Sequence, residues 1–144
     1  MGSNILWVIV FLLIIVLDQF SKYIINKKVD IGVIKSIVPN IFYINHTENK
    51  GMALSIFENK GFIFMPLIII LEVLMGYYFF NYCELSLKLP LDFILAGGAT
   101  NLIDRLLKGS VTDFFQFRIR SFRSPIFNLA DIFILIGAIV FLLN

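Results

Sequence analysis

Residues 5–25 read ILWVIVFLLIIVLDQFSKYII, and this stretch decides the class of the chain. Its first part, Ile5–Leu17, is an unbroken apolar run of 13 residues with no charged side chain before it. A run of that length fits either the core of a cleaved export signal or a membrane span. No basic segment precedes it and no small-x-small cleavage pattern follows it. Phe20, Tyr23, Ile24 and Ile25 carry the apolar character past Asp18. The segment from Asn4 to about Ile25 is therefore expected to be retained as a spanning helix.

Three more apolar stretches lie farther along. Gly61–Phe80 is about 20 residues, long enough to span; Pro66 should kink it, and Glu72 sits near its middle. A third runs from Leu87 to about Arg105, with Pro90 near its first turn, where proline is tolerated. Ile126–Leu143 closes the chain. The composition agrees: 59% of the 144 residues are hydrophobic, 15% are charged, and the mean hydropathy is +0.91. A soluble domain of this size cannot hide that much apolar surface, so lipid must solvate part of it. The expected fold is an all-α membrane protein, a single unit over 1–144 with four transmembrane helices at about 4–25, 61–80, 87–105 and 126–143. A small β-rich loop region is expected beside them. Ile41-Phe42-Tyr43-Ile44 and Ala53-Leu54-Ser55-Ile56-Phe57 are rich in strand formers, and both fall in the polar segment Asn26–Lys60. The connection from about Leu106 to Pro125 reads as a loop.

Composition also excludes functions. A net charge of +2 is too small, and the apolar share too large, for a nucleic-acid reader. The single cysteine, Cys83, rules out an internal disulfide and a cysteine-based metal cage. The lone His46 argues against Ser-His or Cys-His catalysis, and there is no histidine pair for zinc. Neither a metal nor a cofactor is implied.

Polar groups inside spans are costly, so their positions carry information. Asp18, Ser21 and Lys22 lie at i, i+3 and i+4 on one helix face. Asn101, Asp104 and Arg105 repeat that spacing at the end of the third span. Asn128 and Asp131 are an i, i+3 pair at the start of the fourth. With four spans of alternating direction, all three sets reach the same membrane face, which points to a shared site. Carboxylates dominate it. Two that share a proton can activate water as a base and protonate a leaving group as an acid, since like charges so close cannot both ionise. Asp131 and Asp113 are candidates, although Asp131 also reads as a helix-terminus charge and Asp113 as a solvated loop acid. A rival reading is a small proton-coupled transporter or assembly subunit relaying protons through Asp18, Glu72 and Asp104. A Ser21–Lys22 nucleophile pair is weaker, because adjacent helical residues diverge.

Five boxes resemble one known family. Asp18-Gln19-Phe20-Ser21-Lys22 is similar to the D-Q-x-[ST]-K box of bacterial lipoprotein signal peptidases. Asn49-Lys50-Gly51-Met52-Ala53-Leu54 resembles their N-x-G-A-A-F loop, with Met52 and Leu54 departing. Gly97–Arg105 resembles their G-N-x-x-D-R segment, with Thr100 in place of the glycine before Asn101. Gly109-Ser110-Val111-Thr112-Asp113-Phe114 matches G-x-V-x-D-F, and Pro125–Asp131 matches P-x-F-N-x-A-D. The resemblance implies an aspartic endopeptidase with Asp113 and Asp131 as its catalytic pair. It gives supporting roles to Asp18, Lys22, Asn49, Gly51, Asn101, Asp104, Arg105 and Asn128. The implied substrates are diacylglyceryl-modified prolipoproteins, cut just before the lipidated cysteine. Membrane lipids are the other implied partners, and a monomer is expected. The implied place is the bacterial cytoplasmic membrane, with the site near the extracytoplasmic face. Charge disagrees: eleven of the twelve Lys and Arg residues fall on the site's face, which the positive-inside rule places in the cytoplasm. The resemblance is taken as the better guide. Thr100 should disturb close packing of the third span, being bulkier than glycine. Glu72 receives no role.

Overall fold

The computed structural model describes residues 2–51 and 61–144. The strand expected over Ala53–Phe57, and the departures Met52 and Leu54, lie outside the described residues. Chain order is α1 (Gly2–Lys28), β1 (Ile34–Val38), β2 (Phe42–Asn49), α2 (Gly61–Asn81), α3 (Leu85–Lys108), β3 (Val111–Ile119), β4 (Phe122–Arg123) and α4 (Leu129–Leu142).

The helices turn apolar faces outward and polar side chains inward, the reverse of a soluble bundle. Ile5, Leu6, Ile9, Leu12, Leu13 and Val16 of α1 are each more than half exposed, as are Leu67, Ile70, Leu71, Val73 and Leu74 of α2. Contiguous apolar surface on this scale marks contact with another apolar phase. Asn4–Lys28 and Phe64–Asn81 are both long and apolar enough to cross a membrane. Helix α3 holds Lys88, Asp92, Asp104 and Arg105, and α4 is a shorter apolar helix. Inside lie Asp18, Lys22, Thr100, Asn101, Asp104 and Asn128, all buried.

Helices α3 and α4 pack closely because α3 and α4 each present a glycine at the crossing. A Cβ on Gly97 would stand 2.6 Å from Ile134 Cγ1 and 2.7 Å from the Ala130 carbonyl; one on Gly137 would stand 2.5 Å from the Pro90 carbonyl. Real side chains do not tolerate such separations, so glycine sets the distance here. One turn beyond Gly97, that approach brings Asn101 against the first turn of α4. Thr100, expected to disturb close packing, does not stand at that crossing. It faces α1 and not α4, and its hydroxyl donates to Asp18 Oδ2 at 2.8 Å.

The connection expected as a loop between the third and fourth spans is mostly strand. Gly109, at φ 75°, ends α3 in the left-handed conformation, with its N–H on the Arg105 carbonyl at 3.0 Å. The chain then enters β3. The antiparallel sheet has the order β1-β2-β3-β4, so the chain is not all-α, and Asp113 sits on a strand. The register between β2 and β3 shifts by one residue between Ile44↔Phe115 and Thr47↔Asp113. This bulge lies next to Asp113 and re-aims the side chains beyond it. Helix α4 begins at Leu129, three residues later than expected, because Phe127 is spent on a bridge to Phe115.

Candidate active site

The buried floor of the site is a lysine held by two carboxylates. Asp18 and Lys22 lie one turn apart on α1, with Lys22 Nζ 2.6 Å from Asp18 Oδ2. From α3, Asp104 Oδ2 reaches the same ammonium at 2.8 Å. All three side chains are at most 1% exposed. Such a cluster persists only when every remaining lone pair finds a donor. Asp18 Oδ1 accepts the Ala130 N–H at 2.9 Å, which fixes the start of α4 to α1. Asp104 Oδ1 accepts from Gln19 Nε2 at 3.0 Å and from Lys108 Nζ at 3.2 Å. Gln19 also donates to the Thr100 hydroxyl at 2.8 Å.

Two asparagines carry the order of this floor up to two further aspartates. Lys22 Nζ donates to Asn101 Oδ1 at 3.0 Å, which settles the orientation of that amide. Asn101 Nδ2 is thereby turned to Asp131 Oδ1, at 3.0 Å. Asn128 is the N-cap of α4 and forms a capping box with Asp131. Its Oδ1 accepts the Asp131 N–H at 3.0 Å, and its own N–H donates to Asp131 Oδ2 at 3.1 Å. The remaining amide hydrogens of Asn128 go to Asn101 Oδ1 at 3.1 Å and Asp113 Oδ1 at 2.7 Å. One fully buried side chain thus holds both aspartates.

Position follows from strand pairing. Phe114 and Phe115 donate their N–H groups to the Phe127 carbonyl, and Phe127 donates back to Phe115 at 3.0 Å. This bridge seats Asn128, the next residue, beside Asp113. Thr47 stands opposite Asp113 across β2–β3, so Asn49 is its diagonal neighbour on the same face. Asn49 Nδ2 donates to Asp113 Oδ2 at 3.0 Å, while Asn49 Oδ1 accepts the Gly51 N–H at 2.9 Å. Arg105 reaches across to the Gly51 carbonyl at 3.2 Å and to its own helix at Asn101 O, 3.4 Å.

Asp113, Asp131, Asn49, Asn101, Arg105 and Asn128 line one cavity of about 230 Å³, together with Ile68, Gly98, Val111 and Ile134. Burial above all, and then the neighbouring Asp131 charge, push the Asp113 carboxyl up to about 7. The hydrogen bonds from Asn49 and Asn128 and the charge of Lys22 pull the other way and do not prevail. A carboxyl in that range takes up and gives up protons near neutrality, as acid–base chemistry requires. Arg105 also lines the cavity, and its Nε is buried with no hydrogen-bond partner among the described residues.

All ten site residues read from the sequence therefore lie in one connected network. Asp104 pairs with Lys22 and Lys108, and among the described residues no ion pair joins it to the adjacent Arg105. Ser21 donates to the Asp18 carbonyl at 2.7 Å, which leaves no Ser21–Lys22 nucleophile. Glu72 lies against Gly98 and shares a separate cavity of about 370 Å³ with Asp92, so it stands apart from the Asp18–Lys22–Asp104 cluster that a proton relay would need. Gln19 and Thr100 belong to the network although neither is a site candidate from sequence. Gln19 lay inside a quoted box, whereas Thr100 could only be read as a departure.

A family model described as "Signal peptidase (SPase) II" matches residues 10–144. The lipoprotein signal peptidase of Clostridioides difficile (strain 630) is 34% identical over 137 residues, covering 93% of this chain and 90% of its own length. Two solved structures of bacterial membrane enzymes superpose on it. One has a TM-score of 0.86 at 31% identity, over 99% of this chain and 87% of its own. The other has a TM-score of 0.82 at 31% identity, over 99% and 92%.

Proposed function

The chain belongs to the signal peptidase II family, and we propose that it works as an aspartic endopeptidase with Asp113 and Asp131 as its catalytic pair. It is a membrane protease that removes signal peptides from lipoproteins. The finer reading takes diacylglyceryl-modified precursors as the substrates, cut just before the lipidated cysteine. The observation that carries the catalytic assignment is Asn128, which holds one carboxylate on its side-chain amide and the other on its backbone N–H, both facing one cavity.

In this reading Asp113 rests protonated, its carboxyl being pushed up to about 7. Asp131 rests ionised: it lies in the first turn of α4, where the helix dipole favours negative charge, and two N–H donors hold it. Asp131 takes a proton from water as the water oxygen attacks the scissile carbonyl carbon. Asp113 gives its proton to the carbonyl oxygen, forming a diol. On collapse, one diol hydroxyl returns a proton to Asp113, the proton on Asp131 passes to the amide nitrogen, and the C–N bond breaks. The Arg105 guanidinium, at the cavity wall, meets the substrate backbone in this reading, and the Lys22 cluster holds Asn101 and hence Asp131. Acyl chains and signal helix both partition into the bilayer, so remote binding supplies positioning for the peptide.

The same reading takes α1 to α4 as four spans of a monomer in the cytoplasmic membrane, with the sheet and the cavity on the extracytoplasmic side. With Cys83 replaced by serine, a cysteine at exposed Ser36 should be labelled from outside the cell. Labelling only after membrane rupture would make the count of basic residues the better guide.

The substrate class is tested with the purified chain on two precursors of identical peptide sequence, one lipidated and one not. The lipidated form should be cut efficiently, the bare form poorly or not at all, and neither by Asp131→Asn. Equal rates on both forms would make this a general membrane protease.

A further inference from the structure

Strands β2 and β3 meet the cavity on one face of the sheet and carry a second polar cluster, which no catalytic step uses, on the other. Glu48 and Thr112 are direct partners across β2–β3, one pair beyond Thr47 and Asp113. Consecutive strand residues point to opposite faces. Asn49 and Asp113 therefore lie on the cavity side, and Glu48 and Thr112 on the back. There Glu48 takes two hydroxyls, one on each oxygen. Ser110 Oγ donates to Oε2 at 2.6 Å and Thr112 Oγ1 to Oε1 at 2.9 Å. Hydroxyl bonds to a carboxylate are short and strong, and Ser110 and Thr112 are both buried.

The end of α1 braces this clamp. Thr112 Oγ1 accepts from Asn26 Nδ2 at 3.4 Å. His46, two residues before Glu48 and also buried, has Nδ1 2.6 Å from the Val29 carbonyl just past α1. A carbonyl only accepts, so Nδ1 carries the hydrogen. His46 Nε2 stands 3.7 Å from Glu48 Oε1.

Backbone pairing alone is weak here. The bulge interrupts β2–β3 between Ile44 and Thr47, and β2 ends at Asn49. Three pairs lie beyond it: Thr47↔Asp113, Glu48↔Thr112 and Asn49↔Val111. Short strand ends beside a break in the ladder open locally at little cost. Asp113 and the Asn49 amide that holds it both lie in that stretch. The clamp spans it from behind, between Ser110 just ahead of β3 and Thr112.

We propose that Glu48 is a positioning residue for the reaction: by gripping Ser110 and Thr112 on the back of the sheet, it holds Asp113 against Asn49 on the front. Glu48 touches neither substrate nor reacting atoms, and its role rests on the reading of Asp113 as catalytic.

The test measures kcat, KM, their pH dependence and Tm on lipidated precursor for Glu48→Met, Thr112→Val, Thr112→Ser and Asp113→Asn. Glu48→Met removes both acceptors. Thr112→Val removes one bond and keeps the shape, so it decides the matter if Glu48→Met does not fold. In Glu48→Met, kcat should fall on the order of tenfold, short of the roughly 10²-fold that a misplacement of about 1 Å costs. KM should stay close to the parent's, as for an interaction that matters in the transition state. Thr112→Val should show a smaller fall, and Thr112→Ser, which keeps the hydroxyl, should match the parent. The Asn49 hydrogen bond keeps the Asp113 carboxyl lower than burial and Asp131 would leave it. Loosening that bond should therefore move the alkaline fall of kcat to higher pH. The other charges that act on Asp113 or feel it are Asp131 of α4, Lys22 of α1 and Arg105 of α3, and these variants keep all three. A lower Tm with the parent's kcat and pH profile would make the clamp merely structural and overturn the proposal. An equal loss of kcat in Thr112→Ser would also overturn it, since size and not hydrogen bonding would then be at work. Asp113→Asn separates the two failures. If it is inactive, the catalytic reading stands whatever Glu48→Met does; if it turns over precursor, both fall.

Discussion

The molecule contains two pairs of buried aspartates, joined through Asn101, and they are built to opposite ends. Asp18 and Asp104 meet a lysine at 2.6 and 2.8 Å, and their remaining lone pairs are taken by an N–H, a hydroxyl, an amide and a second lysine. Asp113 and Asp131 have no cation in contact among the described residues; their hydrogen-bond donors are amides, and both open on a cavity. The same side chain thus meets a cation in one place and only amides beside a cavity in the other. Amide donors position a carboxylate while leaving its protonation to burial and to its neighbour.

Removing the cation should break the first region most severely. Lys22→Met leaves Asp18 buried without a counter-charge and Asp104 with only the partly exposed Lys108, a loss of about 3–5 kcal/mol by analogy with broken buried pairs. Thermal unfolding in detergent should show a large drop, with activity lost alongside. If Lys22→Met is as stable as the parent, the cluster is not what holds α1, α3 and the start of α4 together.

Asn128→Ala addresses the junction. It removes the amide from Asp113 and from Asn101 and the cap of α4, with a cap alone contributing about 1 kcal/mol. Turnover should fall by about 10²-fold, the effect of misplacing a reacting group by about 1 Å, while the protein remains folded. Turnover within a few-fold of the parent would remove Asn128 as the element that holds the pair.

The pH dependence sharpens the contrast further. The Asp113 carboxyl is raised in the folded state from an ordinary 3.8 to about 7. A raised acid contributes stability that is complete below its unfolded value and lost as pH climbs through its folded value. Stability should therefore decline between about pH 4 and pH 7, and turnover should fall above about pH 7 as the shared proton leaves. Asp113→Asn should flatten the stability profile in that window and be the more stable protein above it. An unchanged slope in the variant would assign the titration elsewhere.

The smallest effect is expected from Thr100→Val, which keeps the shape and removes the hydroxyl between Gln19 and Asp18. About 1–2 kcal/mol of stability should be lost, with turnover little changed. A large loss of turnover would draw Thr100 into the working site.

Much of this could be read before the fold. The apolar runs of α1 and α2 have no soluble interpretation, and helical spacing alone gathered Asp18 with Lys22, Asn101 with Asp104, and Asn128 with Asp131. Strand β3 is not among the strands expected from the sequence, although Val111-Thr112-Asp113-Phe114-Phe115-Gln116-Phe117-Arg118-Ile119 is rich in strand formers and ends at the Arg120-Ser121 turn. What no local pattern holds is pairing across the chain: Asp104 finds Lys22 from 82 positions away, and the one-residue bulge that aims Asn49 at Asp113 depends on the partner strand. Thr100 shows the same limit. Its departure from glycine is legible, but its hydrogen bond to Asp18 depends on which helix it faces.

The central claim is that Asp113 and Asp131 act as one unit while Asp104 belongs to the frame. The most direct measurement is turnover of a lipidated precursor by Asp113→Asn, Asp131→Asn, the double variant and Asp104→Asn, all shown to be folded. The first three should lose activity to a similar extent, because removing either member of a unit costs about as much as removing both. Asp104→Asn should be less stable yet retain some turnover. Substantial turnover by folded Asp113→Asn, with none from equally folded Asp104→Asn, would contradict the account and move the pair to Asp104 and Asp131.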